Sequence, residues 1–201
     1  MLLEADDCQV VLIDYQRRLM PAIHEGERLL ANALRLGRIA RLMGVPVWGT
    51  EQNPAGLGGN DEQIRALCQR TMSKMHFSAV PDGLVEWLRP APVAQSGNVR
   101  SLPKHLQRNA RAAQTRNTVL ICGCEAHVCV LQTALDLLDV DFDVWVVTDA
   151  SGSRSDLSRD AAFDRLAAAG AELVTTEMVA FEWLRSAEHE QFKPVLQIIK
   201  N

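Results

Sequence analysis

The chain has 201 residues, 47% of them apolar, with 21 basic and 25 acidic side chains and a net charge of −4. That length and apolar content predict one substantial core, a single domain over residues 1–201. The charges are dispersed, no apolar run reaches a spanning length and Met1 to Asp7 lacks a signal-peptide layout, so neither nucleic acid nor membrane is expected as a partner and a soluble, cytoplasmic protein is.

Short β-branched apolar runs alternate with segments of helical period, the pattern of βαβ units around a parallel sheet. The first strand is predicted over Cys8–Asp14. Leu29, Leu30, Ala33, Leu36, Ile39, Ala40 and Met43 then draw an apolar stripe down a helix ending at Gly44. A second strand is predicted over Val45–Thr50, a turn-rich stretch over Gln52–Asn60, a helix over Asp61–Arg70 and a weak strand over Thr71–Phe77. Residues Pro90–Lys104 read as a loop and Lys104–Thr115 as a helix. Thr118–Cys122 is unbroken in its apolar character, as a buried central strand requires, and Ala126–Asp139 follows as a helix. Strands over Phe142–Thr148 and Ala171–Thr175 enclose a helix over Asp156–Ala169, and helices near Glu177–Arg185 and Glu188–Lys200 close the order. The expected fold is α/β, a three-layer α/β/α sandwich around a six-stranded, mainly parallel sheet.

Ligands of such sheets bind at the carboxyl ends of the strands, where loops converge and helix N-termini point inward. Three reactive residues fall at such ends: Asp14 after strand one, Lys74 at strand three and Cys129 at the start of the helix after strand four. Singly, each has a plain structural reading: a turn-forming aspartate, a solvated lysine, a packed cysteine. Together they make a nucleophile with a proton acceptor and an electrostatic partner. A thiol in a first helical turn beside an ammonium is expected to have its pKa lowered below about 8.5. Cys122 and Cys124, buried without a cation, are expected to stay protonated. The odd set of five cysteines suits free thiols in a reducing compartment.

The run Val119–Ala134, with Cys-Gly-Cys-Glu-Ala-His-Val-Cys at its centre, resembles the nucleophile segment of the isochorismatase-like cysteine hydrolases. Val11–Gln16 resembles the family's first-strand motif and Met72–Ser78 its lysine motif. Thr50–Gly58 and Asp149–Ser155 look most like the isochorismatase-domain-containing proteins of unsettled substrate. The resemblance implies a Cys129, Asp14 and Lys74 triad, a cis peptide bond before Glu125 that aims the N–H groups of Glu125 and Cys129 at one oxyanion, and a homo-oligomer, dimer or tetramer. It also implies hydrolysis of a small amide or related acyl compound through a Cys129 thioester, with no cofactor. The metal cluster of the nicotinamidases has no counterpart in Glu51–Gly59, which lacks histidine, so no metal is expected. Tyr15, Gln16, Leu19, Glu51, Gln52, Phe77 and His127 flank the triad in sequence and are the candidate substrate-binding residues.

Other readings stay open at this point. Cys122, Cys124, His127 and Cys129 could suggest zinc, although four ligands within eight residues running from strand to helix do not easily converge on one ion. His127 is an alternative base, set against its spacing of two from Cys129, which turns the two side chains to different helix faces. A redox-responsive thiol protein or a vinyl ether hydrolase on the same fold are the rival functions.

Overall fold

The strand of residues Cys8–Ile13 (β1) consists of CQVVLI and is buried at every position, as expected of a strand packed on both faces. The computed structural model describes residues 2–90 and 116–200; the predicted helix over 104–115 and nearly all of the loop before it lie outside the described residues. The other strands are Val47–Gln52 (β2), Arg70–Lys74 (β3), Thr118–Gly123 (β4), Asp143–Val147 (β5) and Glu172–Val174 (β6). They form one sheet in the order β3-β2-β1-β4-β5-β6, and every pairing is parallel.

Alternate residues of β1 divide the core. Val10 and Leu12 point to the side covered by the helices Gly26–Leu42 (α1), Thr176–Leu184 (α7) and Phe192–Lys200 (α8). Val11 and Ile13 point to the other side, under Leu84–Leu88 (α4), Leu131–Asp139 (α5) and Asp156–Ala168 (α6). The short helices Pro54–Leu57 (α2) and Glu62–Leu67 (α3) bridge the β2–β3 connection. This is the three-layer sandwich read from the sequence. The apolar stripe of α1 is buried largely as predicted, with one polar addition: Asn32 faces inward and donates to the Asp149 carbonyl at 2.7 Å, which satisfies it there.

Two boundaries differ in a way that matters for the site. β2 begins and ends later than predicted, taking in Glu51 and Gln52, and β3 stops at Lys74, so Met75–Phe77 turn away from the sheet. Gln52 reads as a turn in sequence but is half-buried strand in the fold, next to the buried Glu51, because the structure supplies partners. Glu51 Oε1 accepts from the Asn60 N–H at 2.9 Å, and Gln52 Oε1 accepts from Lys74.

Candidate active site

The strand order reverses direction between β1 and β4, and that switch point is where parallel sheets open a crevice. Ile13 pairs with Gly123 there, so the residues that follow the two strands are neighbours. Asp14 leaves β1 at φ 55, a left-handed conformation that aspartate tolerates better than most residues. The bend is held by its own N–H donating to the Thr50 carbonyl at 3.2 Å and by the Gln16 N–H donating back to the Asp14 carbonyl at 2.7 Å.

The carboxylate is fully buried. Thr50 Oγ1 donates to Oδ1 at 2.7 Å, and the Lys74 ammonium, at the end of β3 and equally buried, lies 2.8 Å from Oδ2. Lys74 donates to Gln52 Oε1 at 2.7 Å and to the carbonyls of Phe77 at 3.0 Å and His76 at 3.4 Å. The ammonium thus has four oxygens around it, and its short contact with Oδ2 is the charge-assisted one.

Cys129 faces this pair, within hydrogen-bonding reach of both Asp14 and Lys74. It sits in a π-helical turn, Ala126–Val130, which leads into α5; the Val130 N–H donates to the Glu125 carbonyl five residues back at 3.2 Å. Single π-helical turns are rare and concentrate at functional sites. The turn is clamped from the β5–α6 loop, where Gly152 accepts from the Ala126 N–H at 2.7 Å, Ser153 Oγ meets His127 Nδ1 at 2.8 Å and Arg154 pairs with Glu125 at 2.6 Å. The Cys124–Glu125 peptide bond is cis, and the Glu125 N–H donates to no described residue.

The isochorismatase domain family matches residues 8–178. The chain belongs to that family. Isochorismatase domain-containing protein 2A of Mus musculus is 35% identical over 189 residues, covering 94% of this chain and 81% of that protein. The Homo sapiens isochorismatase domain-containing protein 2 is 34% identical over 189 residues, with coverage of 94% and 81%. Among solved structures, the MAR1 ribonuclease of Caenorhabditis elegans superposes with a TM-score of 0.79 at 26% identity, covering all of this chain and 93% of that one. YcaC from Pseudomonas aeruginosa, solved with hexane-2,5-diol and covalent acrylamide, gives 0.78 at 25% identity, with coverage of 98% and 91%.

Within this isochorismatase-like site, the expected acidity of Cys129 is overturned. Burial raises its pKa first and the Asp14 carboxylate raises it further, while Lys74 lowers it without compensating, and the result is a thiol pushed up to about 12. The helix start and the ammonium favour an acidic thiol, but desolvation and the second charge outweigh them. Burial and the neighbouring carboxylate thus favour the protonated thiol. Cys122, raised to about 12 by burial, and Cys124, raised well above its ordinary value by burial, are neutral as expected.

The candidate substrate-binding residues divide. Tyr15 is wholly buried in the core and its hydroxyl donates to the Ala150 carbonyl at 2.5 Å. Gln16 is buried too, accepting from the Gln52 N–H at 2.8 Å and donating to the Gln52 carbonyl at 3.0 Å. Leu19 packs against the core. Glu51 supports Asn60 and faces Arg65 at 3.7 Å. These four brace the site from behind, whereas Gln52 touches Lys74 directly. Phe77 carries its side chain outward, 53% exposed beside Met75 at 68%, and His127 is half-buried against Ser153. Thr50 is an addition to the predicted site: its hydroxyl reaches Asp14 from the neighbouring strand, a contact that only the parallel pairing of β1 and β2 creates. The four residues of the zinc reading each meet different partners, and no group of three His, Cys, Asp or Glu converges among the described residues. No helix among the described residues is long and apolar enough to cross a membrane.

Proposed function

We propose that the chain hydrolyses a small amide or related acyl compound, with Cys129 as nucleophile, Asp14 as proton acceptor and Lys74 as the electrostatic partner of both. The observation that carries this reading is the buried Asp14–Lys74 ion pair, 2.8 Å at Oδ2, within hydrogen-bonding reach of Cys129: a carboxylate beside a thiol that has a proton to give.

The steps follow from the resting charge state. Because the thiol is neutral, attack on the carbonyl carbon and passage of the S–H proton to Oδ2 occur together, so no free thiolate need form. The C–S bond forms as the carbonyl π bond opens, and the oxyanion is received by the N–H groups of Glu125 and Cys129. Asp14 returns the proton to the leaving nitrogen as the C–N bond breaks, leaving a thioester. Water, deprotonated by Asp14, then releases the acid and restores the thiol. The YcaC neighbour was solved with a covalent acrylamide, an amide that also reacts as an electrophile.

A peroxide-sensing role is disfavoured by the same neutrality, since thiolates and not thiols are oxidised readily. The name of the MAR1 neighbour raises RNA as a substrate. Against it stand a net charge of −4 and a site lysine already neutralised by Asp14, which leave little to bind a phosphate backbone. The test is incubation with a panel of small amides, carbamates and RNA, followed by intact-mass spectrometry. An acyl adduct on Cys129 that is absent in Cys129→Ala supports the proposal; RNA cleavage that survives Cys129→Ala overturns it.

A further inference from the structure

In the sheet, β2 lies between the two strands that lead to the charges of the site: β1, which Asp14 follows, and β3, which ends in Lys74. Successive side chains of a strand point to opposite faces. Thr50 donates to Asp14 Oδ1 and Gln52 accepts from Lys74, each at 2.7 Å, whereas Glu51 between them turns to the Asn60 N–H and to Arg65. The strand thus gives the carboxylate a neutral donor and the ammonium a neutral acceptor, and carries its own carboxylate on the other face.

Gln52 stands directly opposite Lys74 in the β2–β3 register, the arrangement that brings cross-strand side chains together. Chemistry allows its amide one orientation. An ammonium can only donate, so Oε1 faces Lys74; the Met75 carbonyl can only accept, so Nε2 faces it, at 2.8 Å. The main chain of Gln52 is fixed as well, its N–H donating to Gln16 Oε1 at 2.8 Å and its carbonyl accepting from Gln16 Nε2 at 3.0 Å. Both ends of the amide are engaged within the protein, which suits holding Lys74 better than holding a substrate.

Charge explains why an amide suits this position. Of the oxygens around the ammonium among the described residues, Asp14 Oδ2 at 2.8 Å is charged, and those of Gln52, Phe77 and His76 are neutral. Asp14 and Lys74 therefore offset each other beside Cys129. Glutamate has nearly the shape of glutamine, but in its place it would put two carboxylates on one ammonium and leave a net negative site next to the sulfur.

We infer that Gln52 is a positioning residue: its amide holds the Lys74 ammonium with a neutral acceptor, so that the lysine's charge is shared between Asp14 and Cys129 alone. The inference rests on the reading of these three residues as the reactive group, but its test follows the thiol and needs no substrate.

Alkylation of Cys129 by iodoacetamide at pH 8, followed by peptide mass spectrometry, reports how readily the sulfur ionises. Gln52→Glu should slow it by about tenfold or more, because a second negative charge then lies one ammonium away from the sulfur. Gln52→Met, similar in length and uncharged, should slow it far less. Damage to the fold acts in the opposite direction, since a loosened site wets the thiol and speeds its alkylation. Should Gln52→Glu fold poorly, the double variant Asp14→Asn with Gln52→Glu has the parent's charge count, and it should react about tenfold more slowly than Asp14→Asn alone. A Gln52→Glu rate equal to or above the parent's, a Gln52→Met rate as low as that of Gln52→Glu, or a double variant as fast as Asp14→Asn overturns the inference. These rate differences in a chain that hydrolyses no amide would sink the hydrolase reading and leave the place of Gln52 standing.

Discussion

At Asp14, one side chain both suppresses and serves the nucleophile. Its charge holds the Cys129 proton in place, raising the thiol with burial to about 12, and its Oδ2, ion-paired with Lys74, is the atom to which that proton can move. The two effects separate in Asp14→Asn, which keeps the shape and removes the charge. With Asp14 gone as a carboxylate, Lys74 acts on the sulfur alone and the thiol becomes more acidic. Alkylation of position 129 by iodoacetamide at pH 8 should therefore be faster in the variant than in the parent, while turnover on the amide identified by the adduct screen should fall by about 10²–10⁴, the usual contribution of a positioned base. Slower alkylation in the variant would mean that Asp14 activates the thiol at rest and that the sulfur enters the reaction already ionised. Thr50→Val tests the other oxygen. Oδ1 loses its hydroxyl donor, the carboxylate is held less firmly, and kcat should drop about tenfold, the scale of a lost hydrogen bond to a charged group at about 1.5 kcal/mol or more; an unchanged kcat would make the contact incidental.

The loop from β4 into the π-helical turn must pass very close to the end of β1, and the sequence marks the place with a glycine. Gly123 has φ +151, and a Cβ there would lie 2.1 Å from the Ile13 carbonyl oxygen, an atom of a central strand that cannot swing aside. Gly123→Ala should cost about 2–4 kcal/mol, or prevent folding, read as a lower urea midpoint; a midpoint within about 0.5 kcal/mol of the parent would show that the strands can part. At this scale the sequence is informative about β1, β4 and α1, whose apolar patterns are uninterrupted or strictly periodic. It ends β2 too early because pattern reading treats Glu51 and Gln52 as solvent-seeking, and it carries β3 too far because Met75–Phe77 continue the strand pattern. The places of Glu51, Gln52 and Lys74 depend on Asn60, Asp14, Phe77 and His76, contacts that only the folded sheet assembles. The π-helical turn is illegible for a similar reason: one residue more per turn leaves no mark in an apolar run, and its clamp is the distant loop Gly152–Arg154. The triad is legible through chemistry at strand ends and through family resemblance. The thiol's acidity is not, since it is decided by how completely the fold excludes water.

That exclusion acts on the whole molecule, because Cys129 is one of several thiols the fold holds neutral. Burial raises Cys8 from an ordinary 9.0 to about 11, and Cys68, Cys122 and Cys129 to about 12. In the unfolded chain these thiols release their protons near pH 9, whereas the native chain retains them until well above it. Between those limits the folded state binds more protons than the unfolded state, so stability is fully present below pH 9 and falls as pH rises toward 11. Each thiol contributes a slope of roughly 1.4 kcal/mol per pH unit, and four together approach roughly 5 kcal/mol per unit, a large part of the 5–15 kcal/mol that holds an ordinary domain together. Urea unfolding under reducing conditions should therefore give a level free energy from pH 7.5 to about 8.5 and a steep decline above pH 9. Cys122→Ala, which removes a single thiol wholly inside the sheet, should lower stability throughout but flatten the alkaline decline by about one proton. A profile level through pH 10.5, or a decline no shallower in Cys122→Ala, would show that the thiols are wetter than their packing implies, and the neutral nucleophile at Cys129 would fall with them.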